Sequence, residues 1–237
     1  MPLGHEVRGS ASTAWNRPRL FRTSVLSVNV SGAGTGGEVS YSAGYLGEVV
    51  KIARALDPGE LDGLAEGLAR VRARRGRLFV LGVGGGAGHA SHAVNDFRKL
   101  CHFEAYAPTD NVSELTARIN DDGWESSFSA WLETSRLSAD DALLIFSVGG
   151  GSRERGVSLN LVHAVELARD KGADVFGIVG RADGATARRA TAAIVVPAPP
   201  ERLTPHVEAF QAVIWHLLVS HPALAAQAGK WESLTLP

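Results

Sequence analysis

Five short apolar runs, each separated from the next by a helix-length stretch, constrain this chain more than any other feature. From Arg77 onward LFVLGV, HFEAYA, DALLIFSV, DVFGIVG and AAIVVPA follow one another. The runs are continuous rather than alternating, so their residues need burial on both faces, as in a parallel sheet covered by helices on each side. Intervening helices are expected from about 87 to 100, around 113–119 and 122–137, up to about 171, near 184–190, and from about 205 to 220. Thr204 and Pro205 fit the cap and first position of the last of these. Ahead of the sheet, 45–56 has a helical apolar face. Asp57-Pro58-Gly59-Glu60 then supplies an N-cap, a first-turn proline and a capping-box glutamate before Leu61, Leu64, Leu68 and Val71 at helical spacing. The fold class predicted is α/β: a three-layer α/β/α sandwich with a five-stranded parallel sheet, preceded by a helical pair. Ligands in such sheets bind at the carboxyl ends of the strands.

Residues 43–222 hold this pattern and form one expected domain, flanked by a flexible extension over 1–42 and a C-terminal tail over 223–237. The extension ends in SGAGTGGEVSYSAG and has few apolar clusters. Arg8, Arg17, Arg19 and Arg22 faintly resemble a transit peptide, but nothing else supports one, and no signal-peptide layout is present. The formal net charge of −1 comes from interspersed acids and bases, which leaves no electrostatic footprint for nucleic acid or membrane. Runs such as Ala142 to Phe146 are far too short to span a bilayer. A single cysteine, Cys101, forms no intrachain disulfide and suits a reducing, cytoplasmic compartment; a small buried hydrophobe is its simplest role.

Chemistry concentrates in a few places. In RLFVLGVGGGAGHASHAVNDF the first strand breaks into Gly82, Gly84, Gly85 and Gly86 and then into a helix, a turn that suits an anion, most often a phosphate. His92 and Asp96 follow four apart, on one helix face. A second loop, Ser147-Val148-Gly149-Gly150-Gly151-Ser152, ends the third strand, with Ser158 and Asn160 at the start of the next helix. The last helix carries Glu208 and His216, about 80° apart around its axis. If the two helices meet, His92, Asp96, Glu208 and His216 converge as metal-ligand or acid–base groups. His206, Gln211, Trp215 and His221 have simpler roles as capping, core-edge or tail residues. Asn120-Asp121-Asp122-Gly123 reads as a turn, with Asp121 a candidate substrate contact. Gly82-x-Gly84-x-x-Ala87 also satisfies a loose dinucleotide fingerprint, with Glu104, 22 residues past Gly82, as the ribose-binding acid. An NAD-dependent oxidoreductase is therefore a competing class. A Walker-type loop is excluded, because no lysine and hydroxyl follow at its spacing.

Over roughly 45–220 the chain resembles the SIS (sugar isomerase) domain, of flavodoxin-like fold, and within it the phosphoheptose isomerases, which act on sedoheptulose 7-phosphate. The family pattern reads GNGGS, H-x-x-x-E, GNDxGF, STSGNS and a last helix with Gln-x7-His. The resemblance implies an aldose–ketose isomerase working through an enediol, with Asp96 and His216 catalytic and zinc held by His92, Asp96, Glu208 and His216. It implies sugar-phosphate contacts from Gly84, Gly85, Gly86, Asn120, Asp121, Ser147, Gly149, Gly150, Gly151, Ser152 and Ser158. It also implies a cytoplasmic homotetramer with sites between subunits, in which Leu61, Leu64 and Leu68 serve either the interface or the core. Gly86 stands where the family has serine, Asp96 is one methylene shorter than glutamate, and Glu208 replaces glutamine. About six residues are inserted before VSLNLV, so Ser158 takes over a phosphate contact. These departures leave open a non-catalytic SIS module that binds a phosphosugar.

Overall fold

The structure is a computed structural model that describes residues 40–234. Two helices come first, α1 (Tyr41–Ala55) and α2 (Pro58–Ala73). The Ser40 hydroxyl accepts from Ala43 N–H and the Asp57 carboxylate from Gly59 N–H, each satisfying a donor that the first turn leaves free. The last residues of the expected extension thus already belong to α1; 1–39 lie outside the described residues.

Strands β1 (Leu78–Gly82), β2 (Ala105–Tyr106), β3 (Ala142–Ser147), β4 (Asp174–Val179) and β5 (Ala192–Val195) form one sheet in the order β2-β1-β3-β4-β5. All four pairings are parallel. The connecting helices are α3 (Gly85–Cys101), α4 (Val112–Asp122), α5 (Ser127–Thr134), α6 (Leu159–Asp170), α7 (Ala185–Arg189), α8 (Leu203–Ser220) and the short α9 (Lys230–Ser233).

Successive strand residues enter opposite layers, which is why the runs are continuous. Leu78, Val80, Leu144, Phe146 and Ile178 join the core under α2, α3 and α8, which also holds Leu61, Leu64 and Leu68. Phe79, Leu81, Leu143, Ile145 and Val175 join the core under α5 and α6. Those three leucines are therefore core residues of this chain, and the interface alternative for them is corrected by their burial.

Several predicted boundaries shift for local reasons. β2 is two residues long because HFEAYA alternates, with Phe103 and Ala105 buried and Glu104 and Tyr106 exposed, as befits a sheet edge. The last helix begins at Leu203, not at a Thr204 cap, and Pro205 sits in the first turn, where no hydrogen bond is lost. Asn120-Asp121-Asp122 form the end of α4 rather than a free turn, and Gly123 terminates it at φ 87°. The segment after α8 is fastened down as far as Gln227. Leu224 is fully buried, Arg72 donates to the carbonyls of Cys101, Ala223 and Leu224, and Ala226 N–H donates to Leu100 O. Among the described residues no helix is long and apolar enough to cross a membrane.

The order β2-β1-β3 makes β1 and β3 the strands from which the chain departs in opposite directions. Gly82 pairs with Phe146 across that seam, so both glycine loops start side by side at the strand ends. A crevice at such a switch point is where open α/β sheets bind ligands.

Candidate active site

The first loop works by backbone proximity. Gly84 occupies φ 59° at the N-cap of α3, which therefore opens at Gly85, two residues earlier than the pattern suggested. A Cβ on Gly86 would lie 2.5 Å from Phe146 O, so the helix start is pressed against β3 and no serine fits without displacement. The second loop is only partly open. Ser147 Oγ accepts from Gly150 N–H at 3.0 Å, which leaves its own proton free to donate. The hydroxyl of Ser152 is buried and donates to Glu154 at 2.9 Å, so it is committed within the protein. Gly150 and Gly151 turn their carbonyls to Thr186 N–H and Ala185 N–H at the head of α7.

A cavity of about 310 Å³ lies between the loops, lined by Gly86, Ser147, Gly149, Ser158, Glu208 and Gln211 among others. Five of the residues proposed from sequence, Gly86, Ser147, Gly149, Ser158 and Glu208, meet there. Gly85 borders Glu208, whose carboxylate lies 2.6 Å from the point where a Gly85 Cβ would stand. Gly150 and Ser152 face elsewhere. Asn120 and Asp121 are exposed at the end of α4, where Asn120 donates to Asp121 at 2.8 Å, and line neither this cavity nor the cluster below.

That cluster lies further down the α3–α8 seam. His92 follows Gly85 by seven residues, about 10 Å at the helical rise. His92 Nε2 stands 3.5 Å and His216 Nε2 3.6 Å from Asp96 Oδ2, and the three donor atoms lie within 4.8 Å of one another. Glu208 is not among them; two turns up α8, it belongs to the loop cavity instead, which corrects the four-residue set. Both imidazoles are more than half exposed, whereas the Asp96 side chain is 11 % exposed. Two neutral donors steer the carboxylate: Trp215 Nε1–H to Oδ2 at 3.2 Å and Asn95 to Oδ1 at 3.0 Å. His216 Nδ1 donates to Ala212 O at 2.7 Å, so when the ring is neutral its lone pair is on Nε2, facing Asp96. Separations of 3.5–3.6 Å exceed an ordinary hydrogen bond and leave room for a proton or a metal ion between the imidazoles and the carboxylate. They match the edge of a tetrahedron with metal–ligand bonds of about 2.0–2.2 Å, and two imidazoles with a carboxylate are a zinc-type donor set. The residues present therefore fit such an ion.

Sequence reasoning missed Asn95, Trp215 and the pair His89–Gln211 as site residues. His89 Nδ1 is 3.0 Å from Gln211 Oε1, while Gln211 Nε2 donates to Ile178 O at 3.3 Å. The His89 ring lies 5.0 Å from that of Trp215. The spacing of His89 and His92 on α3, and the adjacency of Trp215 and His216 on α8, were the available signals. Cys101 is fully buried, and burial pushes its thiol up to about 11, so it is no nucleophile.

The dinucleotide alternative fails on position. Its acid has to stand at the carboxyl end of the second strand. Glu104 instead precedes β2 at the amino ends of the strands, where its carbonyl accepts from Leu78 N–H and its carboxylate from Tyr106.

No family model matches this chain. Individual relatives do. It is 32 % identical over 168 residues to a phosphoheptose isomerase of Solidesulfovibrio magneticus, covering 68 % of this chain and 77 % of that one. It is 33 % identical over 158 residues to the lincomycin biosynthesis protein LmbN of Streptomyces lincolnensis, of which the match spans only 56 %, and 62 % of this chain. The structure of phosphoheptose isomerase GmhA from Neisseria gonorrhoeae superposes with a TM-score of 0.65 at 23 % identity, covering 75 % of this chain and 94 % of that one. The fold is that of a sugar isomerase domain. The chain belongs to the phosphoheptose isomerase family.

Proposed function

We propose that this chain is an aldose–ketose isomerase that interconverts sedoheptulose 7-phosphate, or a close ketose-phosphate relative, and the corresponding aldose phosphate in heptose biosynthesis. The observation that carries the reading is the placement of one steered carboxylate, Asp96, between two imidazoles, the first of which, His92, stands about 10 Å along α3 from a glycine turn that suits an anion. That separation suits an extended sugar held by its phosphate at one end and its carbonyl at the other. Glycine-loop amides with Ser147 and Ser158 hold the phosphate, and Gly149 lets the backbone approach it. Gly84 and Gly85 supply the turn itself.

Asp96 takes the proton from C1 of the open ketose. His216, as the acid, delivers a proton to the C2 oxygen, and an enediol results. His216, left neutral, then takes the O1 proton while Asp96 returns the carbon-bound proton to C2, which gives the aldose and restores both residues, so no proton is gained or lost overall. The hydrogen bonds from Trp215 and Asn95 keep the carboxylate aimed at carbon while half-exposed His92 and His216 face the sugar oxygens. Zinc is the alternative use of the same residues: His92, Asp96 and His216 would hold it, and Glu208 would join only by swinging away from Gly85. When bound, it would supply Lewis-acid polarisation of the sugar oxygens.

A homotetramer with sites between subunits belongs to the same proposal. It is supported by exposed Tyr41, Leu46 and Val50 on α1, and it would allow Asn120 and Asp121 to serve a neighbour's site. Cytoplasmic residence rests on the single buried cysteine.

A phosphosugar-binding module without turnover is the second reading, favoured by the Glu208 carboxylate in the loop cavity and by the loss of the Ser152 hydroxyl to Glu154. Proton exchange separates the two. In deuterated water, NMR of sedoheptulose 7-phosphate with the protein is expected to show deuterium entering C1 of the ketose and C2 of the aldose. Binding with neither exchange nor aldose formation contradicts turnover, and the absence of binding, exchange and aldose formation contradicts the substrate class.

A further inference from the structure

The inserted residues build a second cavity beside the phosphate loop. Ser152 and Val157 pair through two backbone hydrogen bonds, Ser152 N–H to Val157 O at 2.9 Å and Val157 N–H to Ser152 O at 3.0 Å, and hold Arg153-Glu154-Arg155-Gly156 as a hairpin tip. Gly150 and Gly151, at φ 71° and 77°, make the turn that leads into it. Because a trans peptide points its N–H opposite to its C=O, fastening Gly150 O to α7 turns the Gly151 N–H away from α7. Among the described residues that N–H meets no acceptor.

Gly149, Gly151, Ser152, Arg155, Val157 and Arg181 line the resulting cavity, of about 450 Å³. Gly149 and Val157 are shared with the cavity between the two glycine loops. Arg181 reaches Asp183 through Nε at 2.9 Å and Nη2 at 2.8 Å, and Arg155 reaches the same carboxylate at 3.0 Å. Those guanidinium groups hold the Asp183 carboxyl far below the usual carboxylate range, Arg181 more strongly than Arg155. Two cations are thus positioned by one anion, and three of their guanidinium N–H donors are engaged with it while the remainder meet no acceptor among the described residues. Of the neighbouring acids, Glu166 pairs with Arg153 and Arg189, and Glu154 pairs with Arg188 while also attracting Arg155 through space, so Asp183 is the one carboxylate in direct contact with both Arg155 and Arg181 among the described residues.

We infer that this cavity is a second anion subsite, adjoining the phosphate loop and built for a phosphoryl-type group held by Arg155 and Arg181. The inference rests on 147–152 being a phosphate loop. The same chemistry can come from a further anionic group on the sugar ligand or from a separate free phosphate.

Calorimetric titration of inorganic phosphate and pyrophosphate into the wild-type chain, R155Q/R181Q and D183N, each with and without saturating sedoheptulose 7-phosphate, tests it. R155Q/R181Q is expected to weaken pyrophosphate binding at least ten-fold. D183N is expected to weaken it less than R155Q/R181Q does, because both guanidinium groups remain but lose the carboxylate that positions them. Phosphate binding on top of saturating sugar phosphate, lost in R155Q/R181Q, assigns the subsite to a separate effector, and tighter binding of a bisphosphorylated ketose than of sedoheptulose 7-phosphate, also lost in R155Q/R181Q, assigns it to a further anionic group on the sugar ligand. Equal affinities in all three proteins overturn the subsite. Titration needs no turnover, so the predicted pattern in a chain that neither binds nor converts the sugar would sink the isomerase proposal and leave the subsite standing.

Discussion

Asp141 and Asp96 are both buried carboxylates beside cationic or potentially cationic side chains, and the chain treats them in opposite ways. Asp141, at the start of β3, accepts from Arg77 N, Nε and Nη2 and from Ser138 N and Oγ, at 2.7 to 3.1 Å. Burial alone would raise its pKa, but the hydrogen bonds from Arg77 and Ser138 outweigh that and hold it below the usual range. Arg77 gives two further donors to the carbonyls of Ser135 and Arg136. Among the described residues Asp96 receives hydrogen bonds only from Trp215 and Asn95, and its two imidazoles stop at 3.5 and 3.6 Å. A fully satisfied charge ties loops to a strand and has nothing left to offer a ligand. A steered but incompletely satisfied one is ready for a proton or an ion.

The comparison breaks first at Asp141. D141N should cost about 3 kcal/mol of stability, since it leaves Arg77 half-buried without its anion. Urea unfolding measures this, and turnover per folded molecule should stay near wild type. A stability loss below about 1 kcal/mol would mean that the pair is not structural.

A smaller effect is expected at Gly86. Restoring the family's serine places a Cβ 2.5 Å from Phe146 O, a backbone atom that cannot turn aside. G86S should therefore destabilise by about 1–3 kcal/mol rather than improve phosphate binding. Tighter sugar-phosphate binding with an unchanged melting temperature would show that α3 can shift away from β3.

The smallest effect concerns α1. Its Glu48 pairs with Arg202 and sits 2.7 Å from His206 Nε2, and these, Arg202 foremost, lower its pKa from 4.5 to about 2. A depressed carboxyl stabilises the fold above its unfolded pKa, and that contribution disappears as the pH falls through the folded one. Between about pH 4.5 and 2 the melting temperature of the wild type should fall faster than that of E48Q. Parallel curves would remove Glu48 as an anchor of α1.

What the sequence made legible follows the same division. The five strands were readable because Leu78 to Leu81 and Ala142 to Phe146 feed both core layers and so carry no polar interruption. His92 and Asp96 were readable as neighbours because four residues of helix place them on one face. The meeting of α3 with α8 depends on side-chain packing between distant segments, so neither the 3.6 Å approach of His216 nor the hydrogen bond from Trp215 to Asp96 could be read from spacing. Glu208 shows the limit most clearly. Eight residues of helix, about 12 Å, carry it to the glycine loops, and no one-dimensional pattern says which of two sites along a seam a side chain joins. Gly86 reads in sequence as a lost hydroxyl, whereas in the fold it is the close contact that lets α3 start against β3.

The central claim is that Asp96 and His216 perform chemistry rather than hold the fold. Turnover of sedoheptulose 7-phosphate and urea stability, measured together for the wild type, D96N and H216A, test it most directly. Both variants should lose about 10²–10⁴-fold in kcat while each unfolds within about 1 kcal/mol of the wild type, as expected for groups at a functional site rather than in the packed core. Turnover near wild type in both variants, or a loss of activity matched by a loss of folded protein, would contradict it.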